Sequence, residues 1–209
     1  MHSSAVESLA AIRIQHRNIR KDSVTMKATG IVRRIDDLGR VVNTKEIRRT
    51  LRIREGDPLE IYTDREGEVI FKKYSPIGEL ASFAGQYAET LHKTCGLAVA
   101  ICDRDSVIAC AGISKREYQE KSLSEAVEHM MEKRTFYANN GDTEPRSIIR
   151  DGGAHTVSCA MPIISEGDVV GCVVSAKPLE GDGTDRLAFD IEAKLIQTAA
   201  GFLGRQLET

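Results

Sequence analysis

The clearest chemistry in this sequence comes from six arginines within 20 residues: Arg33, Arg34, Arg40, Arg48, Arg49 and Arg52. A planar guanidinium can donate two parallel hydrogen bonds to a phosphate or to the edge of a guanine, which a lysine ammonium cannot copy. The cluster therefore predicts a site that binds nucleic acid. The alternative is that some of these arginines form ion pairs on a solvated surface with Asp36, Asp37 or Glu46.

The net charge of −2 over 209 residues hides a strong asymmetry. Residues 26–54 carry 9 basic and 3 acidic side chains, a net charge of +6. Residues 55–80 carry 3 basic and 7 acidic side chains, and residues 81–209 carry 13 and 19. A short positive segment attracts phosphate, while an acidic remainder limits indiscriminate binding.

The arginines lie on segments that predict two strands followed by a helix. Residues 29–36 and 40–42 favour short strands, joined by a turn in which Gly39 supplies the permissive backbone. Ile47 and Leu51 are four residues apart and share one helical face, which leaves the neighbouring arginines on the other faces. The pattern predicts a helix of about two turns.

The limits of this helix and the element that follows it are also predicted. Asn43 and Glu46 fit a capping box, with Asn43 as the N-cap. Gly56 and Pro58 are expected to close the helix. Residues 59–73 alternate apolar and polar side chains around the sequence DREG, which predicts a β-hairpin.

This unit, from about Met26 to Lys73, has fewer than 50 residues. It contains no disulfide pattern and no metal motif, and a domain of this size is marginally stable by itself. Four short strands and one short helix are therefore expected to need a second copy of the chain. Obligate dimerisation is the physical prediction.

The rest of the chain predicts a larger α+β domain of about 130 residues. Ser75 and Pro76 fit the N-cap and first position of a helix that runs to His92. Two strands, one or two helices, a loop at residues 138–145, three strands and a long final helix follow. The three strands are predicted at 146–151, 155–164 and 168–177.

Residues 1–25 lack a clean apolar periodicity, which predicts a flexible arm with a frayed helix from Val6 to Ile14. Basic residues such as Arg13 and Arg17 interrupt and follow their one apolar stretch, so these residues do not resemble a signal peptide. No apolar run approaches the roughly 20 residues that a membrane helix needs. A cytoplasmic protein that makes no membrane contact is expected.

No pattern in the sequence predicts an enzyme, a cofactor or a metal site. The five cysteines contain no C-x-x-C pair, which favours buried, reduced thiols over disulfides or zinc ligands. The five histidines have no metal-binding spacing, and GDGTD at 181–185 lacks the further ligands of a cation loop. No acid, base and nucleophile can be nominated together.

Residues 26–80 closely resemble the N-terminal DNA-binding domain of the AbrB family of bacterial transition-state regulators. The resemblance runs through MKATGIVRRIDDLGRVV and then KEIRRTLRIREGDPLEIYTDREGEVIFKKYSPIGEL. Between these stretches the family commonly has an apolar residue and a proline, where this chain has Asn43 and Thr44. The remainder is similar to a GAF domain in its order of elements, with matches such as ICDRD and TAAGFLGRQLE.

The AbrB resemblance implies a swapped-hairpin fold, in which two chains interleave four strands each into one dimeric β-barrel that binds double-stranded DNA. The family's DNA-contacting residues correspond to Arg33, Arg40, Arg48 and Arg49, with Arg34 and Lys27 as further candidates. Such proteins tend to read DNA shape and flexibility through contacts dominated by phosphate.

The combined resemblance implies three regions: a flexible extension at 1–25, an AbrB-like DNA-binding domain at 26–75 and a GAF-like sensor and oligomerisation domain at 76–209. The GAF-like domain is expected to have an antiparallel sheet with flanking helices and to pair two dimers into a homotetramer. It could also bind a small molecule, which the sequence does not identify.

This order of domains is found in endospore-forming bacteria. It implies a nucleoid-associated transcription regulator of sporulation-stage genes, located in the forespore of a spore former. Two alternatives remain open. One is an AbrB-fold antitoxin or protein-interaction module, although a folded domain of about 130 residues argues against it. The other is a catalytic GAF-like domain that the first domain only targets.

Overall fold

The computed structural model describes residues 30–63, 65, 67–139, 144–179 and 187–208, together with the backbone of residues 12–14. The chain divides into two compact units, Met1–Tyr74 and Ser75–Thr209. The two units differ in apolar burial: among the described residues, all buried apolar side chains belong to the second unit.

The N-terminal unit contains a three-stranded sheet and one short helix. Its elements are strand β1 (Ile12–Ile14), helix α1 (Lys45–Thr50), strand β2 (Leu59–Thr63) and strand β3 (Val69–Lys73). β3 lies in the middle, antiparallel to β2 and parallel to β1. The hairpin predicted around DREG is confirmed.

The helix predicted over residues 6–14 is wrong at Ile12–Ile14, which form a strand. Pairing with β3 decides this, since a segment of three residues is too short for its pattern to distinguish a helix from a strand until a neighbour is present. The rest of the predicted arm lies outside the described residues.

Residues 30–44 form an open hairpin that has no regular strand, which corrects the two strands predicted at 29–36 and 40–42. Its turn contains Gly39 at φ 76°, and the Asp36 N–H donates to the Arg40 carbonyl at 3.0 Å. A strand needs a neighbour to accept and donate its backbone hydrogen bonds. None of the three described strands of this unit pairs with these arms.

Helix α1 begins at Lys45 because Thr44 is its N-cap. The Thr44 hydroxyl accepts the Ile47 N–H at 3.5 Å, and the Thr44 side chain is buried. The prediction that Asn43 caps the helix is therefore wrong by one residue. The Asn43 side-chain oxygen is buried and has no hydrogen-bond partner among the described residues. Asn43 and Thr44 can both cap a helix. The backbone conformation that leads into the first turn decides that Thr44 is the cap.

α1 ends in a Schellman turn, before the predicted closure at Gly56. The Ile53 N–H donates to the Arg48 carbonyl at 2.8 Å, and the Arg52 N–H donates to the Arg49 carbonyl at 3.3 Å. Arg52 adopts φ 51°, in the left-handed region that glycine usually occupies in this motif. Its side chain makes this conformation cost about 1–2 kcal/mol.

We expect Thr44→Ala to destabilise α1 by about 1 kcal/mol, because the helix loses its capping acceptor. Asn43→Ala is the matched control and should cost less, since the Asn43 oxygen makes no hydrogen bond within the part of the chain that the structure describes. Hydrogen exchange of the α1 amides, measured by mass spectrometry on the full chain, compares the two variants. Faster exchange in Asn43→Ala than in Thr44→Ala would contradict the assignment of Thr44 as the cap.

The C-terminal unit is an antiparallel five-stranded sheet with helices on both faces, which confirms the predicted α+β class. The strands follow the order β5-β4-β8-β7-β6. The helices are α2 (Pro76–Glu79), α3 (Ala81–Cys95), α4 (Lys115–Tyr118), α5 (Glu125–Glu132) and α6 (Phe189–Gln206). The strands are β4 (Val99–Cys102), β5 (Val107–Ala111), β6 (Tyr137–Ala138), β7 (His155–Ser165) and β8 (Asp168–Pro178).

The strand predicted at 146–151 is not formed. Ser147 and Ile149 make isolated bridges to Thr156 and Leu123, and β6 is the edge strand instead. β6 has two residues and overlaps the segment predicted as loop. An element this short carries no periodicity, so only its pairing with β7 reveals it.

Two apolar cores fill the two faces of the sheet. The core beneath α3 and α6 includes Leu91, Val99, Ile163, Ile196 and Leu203. The core on the opposite face includes Cys102, Tyr118, Val127, Ile148 and Val174. Because both faces are covered, β4 and most of β8 are apolar at successive positions.

Candidate nucleic-acid interface

The predicted DNA-contacting side chains lie on the open hairpin and on α1 of the N-terminal unit. Five of the six are described: Arg33, Arg34, Arg40, Arg48 and Arg49. Arg48 is half-buried and the other four are exposed. Lys27 lies outside the described residues. The two arginines of α1 occupy its last turn, where positive charge also stabilises the helix dipole.

Arg40 is held at the tip of the hairpin by Asp36. One Asp36 carboxylate oxygen accepts the N–H groups of Leu38 at 3.0 Å and Arg40 at 2.7 Å. The other oxygen accepts the Arg40 Nε–H at 2.7 Å. These bonds hold the pKa of Asp36 below its ordinary value. The Arg40 N–H lowers the pKa most, and the Arg40 guanidinium lowers it further.

One of the surface ion pairs left open by the sequence is therefore formed, between Arg40 and Asp36. The Arg40 side chain is 69% exposed and that of Asp36 is 36% exposed. Exposed pairs of this kind are weak because water screens both charges. A phosphate could thus replace Asp36 as the partner of the guanidinium.

Glu46 lies close to arginines from two elements. Its carboxylate accepts its own N–H and the Thr44 hydroxyl, and these contacts lower the pKa of Glu46. The charges of Arg33 and Arg49 lower it further. One arm of the hairpin and the helix therefore both contribute positive charge to the electrostatic environment of Glu46.

Arg48 has a hydrogen-bonding group without a partner. Its Nε is buried and makes no hydrogen bond in the described part of the structure. Buried donors are nearly always paired in native assemblies. A second chain or a bound polyanion could supply the acceptor that the single chain lacks.

Sequence reasoning missed the polar contact that fixes the end of α1. The Asp57 side chain is 1% exposed, accepts the Arg54 N–H at 2.7 Å and lies 3.3 Å from the Lys73 ammonium. Lys73 also donates to the Arg52 carbonyl at 3.0 Å, which joins the helix terminus to β3. No spacing rule could find this contact, because the fold of the β2–β3 hairpin brings its members together.

Comparison with known proteins assigns the chain to a family. A family model described as "Stage V sporulation protein T C-terminal, transcription factor" matches residues 79–208. Stage V sporulation protein T of Bacillus subtilis (strain 168) is 52% identical over 186 residues, which cover 88% of this chain and 99% of that protein. The chain belongs to the stage V sporulation protein T family.

The N-terminal unit of this stage V sporulation protein T family member has further relatives. The transition state regulatory protein AbrB of B. subtilis is 63% identical over 51 residues, 24% of this chain and 52% of that protein.

Among solved structures, a GAF domain/HD domain protein from Geobacter sulfurreducens is 17% identical with a TM-score of 0.42, covering 61% of this chain and 91% of that one.

Two kinds of feature are absent from the described residues. Within them, no helix is long and apolar enough to cross a membrane. In the same residues, no group of three or more His, Cys, Asp or Glu side chains is arranged to hold a metal ion.

We expect Arg40→Ala to raise the pKa of Asp36 only part of the way to its ordinary value. The N–H of residue 40, which is the largest cause of the lowered pKa, survives this substitution. Because the folded pKa is depressed, the turn is stabilised above the ordinary pKa and loses this stabilisation as the pH falls through the folded value. Carboxyl-carbon NMR titration measures the shift.

Arg34→Ala serves as the control for this titration, since Arg34 is not among the groups that lower the pKa of Asp36. A complete return of the pKa in Arg40→Ala would show that the backbone N–H contributes little and that the guanidinium alone holds the turn.

Proposed function

We propose that this protein is a DNA-binding transcription regulator of sporulation-stage genes. The observation that carries the proposal is the 63% identity to AbrB over 51 residues of the N-terminal unit. Residues 26–54 of this unit have a net charge of +6 and carry exposed arginines. Arg33, Arg34, Arg40, Arg48, Arg49 and Lys27 are the proposed DNA contacts. Guanidinium contacts to phosphate supply affinity, and DNA shape and deformability supply most of the selectivity.

The proposed DNA-binding form is a homodimer built through residues 26–75. In one chain, none of the apolar residues described for this unit is buried. Large apolar side chains are exposed instead, including Val32 at 74%, Leu38 at 70% and Val42 at 72%. A second copy could provide strands for the open arms and cover these side chains, as in a swapped hairpin. It would also present every arginine twice.

Residues 76–209 are the proposed sensor and oligomerisation domain, which pairs two such dimers into a homotetramer. Support comes from an aromatic cluster on α3 and α6, in which the ring centroids of Tyr87 and Phe202 are 5.5 Å apart and those of Phe83 and Phe202 are 6.0 Å apart. Phe202 is 40% exposed, and Ile191 on the same helix is 49% exposed. A small molecule of unidentified class could modulate this domain.

We place the protein in the cytoplasm, associated with the nucleoid, and in the forespore when the host forms spores. The proposal contains no catalytic step. The well-packed unit at 75–209 disfavours the alternative of an antitoxin, since antitoxins of the AbrB fold usually carry a short and disordered C-terminal segment.

We expect the double substitution Arg48→Ala with Arg49→Ala to weaken promoter binding and to make it less dependent on salt. The slope of log K against log salt should become shallower by about 0.9 for each phosphate that is no longer neutralised, and by about 4 if both arginines of both chains bind phosphate. Fluorescence anisotropy with labelled duplex DNA over a salt series measures the slope.

The matched control is Arg116→Ala with Arg205→Ala, which removes two exposed arginines from the C-terminal unit. Its slope should equal that of the unmodified protein. If the two double variants have the same slope, Arg48 and Arg49 do not bind phosphate.

We expect Val42→Asp to halve the mass of the assembly, because it places a charge in the proposed dimer interface. In an isolated chain the same change would alter stability by less than about 0.5 kcal/mol, since Val42 is 72% exposed. Leu179→Asp is the control, with a side chain 54% exposed in the other unit. Light scattering after size exclusion gives the mass, and an unchanged mass in Val42→Asp excludes this interface.

A further inference from the structure

Two cysteines of the C-terminal unit lie directly opposite each other on neighbouring strands. Cys102 is the last residue of β4, and its antiparallel partner on β8 is Cys172. The Ala176 N–H donates to the Ala98 carbonyl at 2.8 Å, which makes residues 98 and 176 a hydrogen-bonded pair. The pairing alternates without a register shift from there to residue 102. Cys102 and Cys172 are therefore a hydrogen-bonded pair as well.

This geometry suits a disulfide. The Cα atoms of such a pair are about 5.5 Å apart, within the range that disulfides span. Both side chains belong to the same core cluster, as expected of directly opposed residues, whose side chains lie on the same face of the sheet. The sulfur atoms therefore already face each other across the sheet.

The other three cysteines lack such a partner. Cys110 lies opposite Ala100, and Cys159 lies opposite Ser175 on β8. Cys95 is near the end of α3 and is partly exposed. Strand register thus singles out one pair among five thiols.

We propose that Cys102 and Cys172 form a reversible disulfide when the protein meets hydrogen peroxide. One cysteine, as its thiolate, attacks a peroxide oxygen, breaks the O–O bond and becomes a sulfenic acid. The released hydroxide takes up a proton as water. The second thiol attacks the sulfenic sulfur, which forms the S–S bond and releases a second water. Two electrons pass from the two thiols to the peroxide.

Burial makes this reaction selective and slow. The hydrogen bond to Cys172 and burial both raise the pKa of Cys102 well above its ordinary value, so the thiol form predominates near neutral pH. Oxidation therefore requires local opening. Opening is easiest at a strand end, and the pairing of β4 with β5 shifts register between Ile101 and Cys102.

Strain makes the disulfide reversible. In a directly opposed strand pair the Cβ atoms are about 4.5–5.5 Å apart, whereas a disulfide holds them about 3.8 Å apart. Closure must draw β4 and β8 together at a point where a Cβ on Gly171 would already lie 2.1 Å from the Cys102 carbonyl oxygen. Strained disulfides are more easily reduced than relaxed ones, which is typical of switches rather than structural bonds.

The test treats the full chain with hydrogen peroxide, alkylates the remaining thiols and maps the linked peptides by mass spectrometry. Trypsin alone leaves Cys95 with Cys102 and Cys159 with Cys172. Digestion with Glu-C, which cuts after Glu166, separates the second pair, and fragmentation of the linked peptide separates the first. We expect one linkage, Cys102 to Cys172, with loss of two hydrogen atoms and full reversal by dithiothreitol.

Two variants keep the result interpretable. Cys95→Ser removes the most exposed thiol and should leave the linkage intact, whereas Cys172→Ser should abolish it. Circular dichroism checks that each variant is folded, and the map of the unmodified protein decides the proposal even if Cys172→Ser does not fold. A map without a 102–172 linkage, with a different linkage, or with a linkage that dithiothreitol does not reverse overturns the proposal.

Discussion

The burial of apolar side chains is the constraint on which the rest of this structure depends. The C-terminal unit meets it within one chain, because helices cover both faces of a five-stranded sheet. The described part of the N-terminal unit does not, since none of its apolar residues is buried. Within the N-terminal unit, β2 and β3 pair with each other, whereas the arms at 30–44 form no regular strand.

The proposed DNA-binding groups lie on the N-terminal unit, in which no described apolar residue is buried. Assembly and DNA binding would then be coupled, because a second copy would both stabilise the hairpin arms and double the arginines. Local contacts prepare these groups within one chain. Asp36 holds Arg40, Glu46 lies near Arg33, and the buried Asp57 fixes the end of α1. Asp36 thereby positions the Arg40 guanidinium, and the negative charges of Asp36 and Glu46 offset part of the repulsion among the arginines.

Elements with a local cause could be predicted from the sequence. The β2–β3 hairpin has a turn sequence between alternating strands, and Ser75 with Pro76 begins α2 as predicted, with the Ser75 hydroxyl accepting the Gly78 N–H at 3.1 Å. Predictions failed where several local solutions were equally good. Asn43 and Thr44 can both cap α1, and β6 is too short to show a period. The segment at 146–151 contains apolar residues, but its contacts are divided between β7 and Leu123: Ser147 makes one bridge to Thr156 and Ile149 makes one bridge to Leu123, so no continuous ladder forms.

The sequence by itself determined the class of the protein: a mixed α+β fold, a positive segment rich in arginine, and a family resemblance that the comparisons confirm. Tertiary structure decided which side chains meet. Lys73 reaches Asp57, and Cys102 faces Cys172, only because strands separated in the chain pair in a particular register. Local propensity depends on near neighbours in the chain. Register depends on which faces become buried, and that is settled only when the whole sheet assembles.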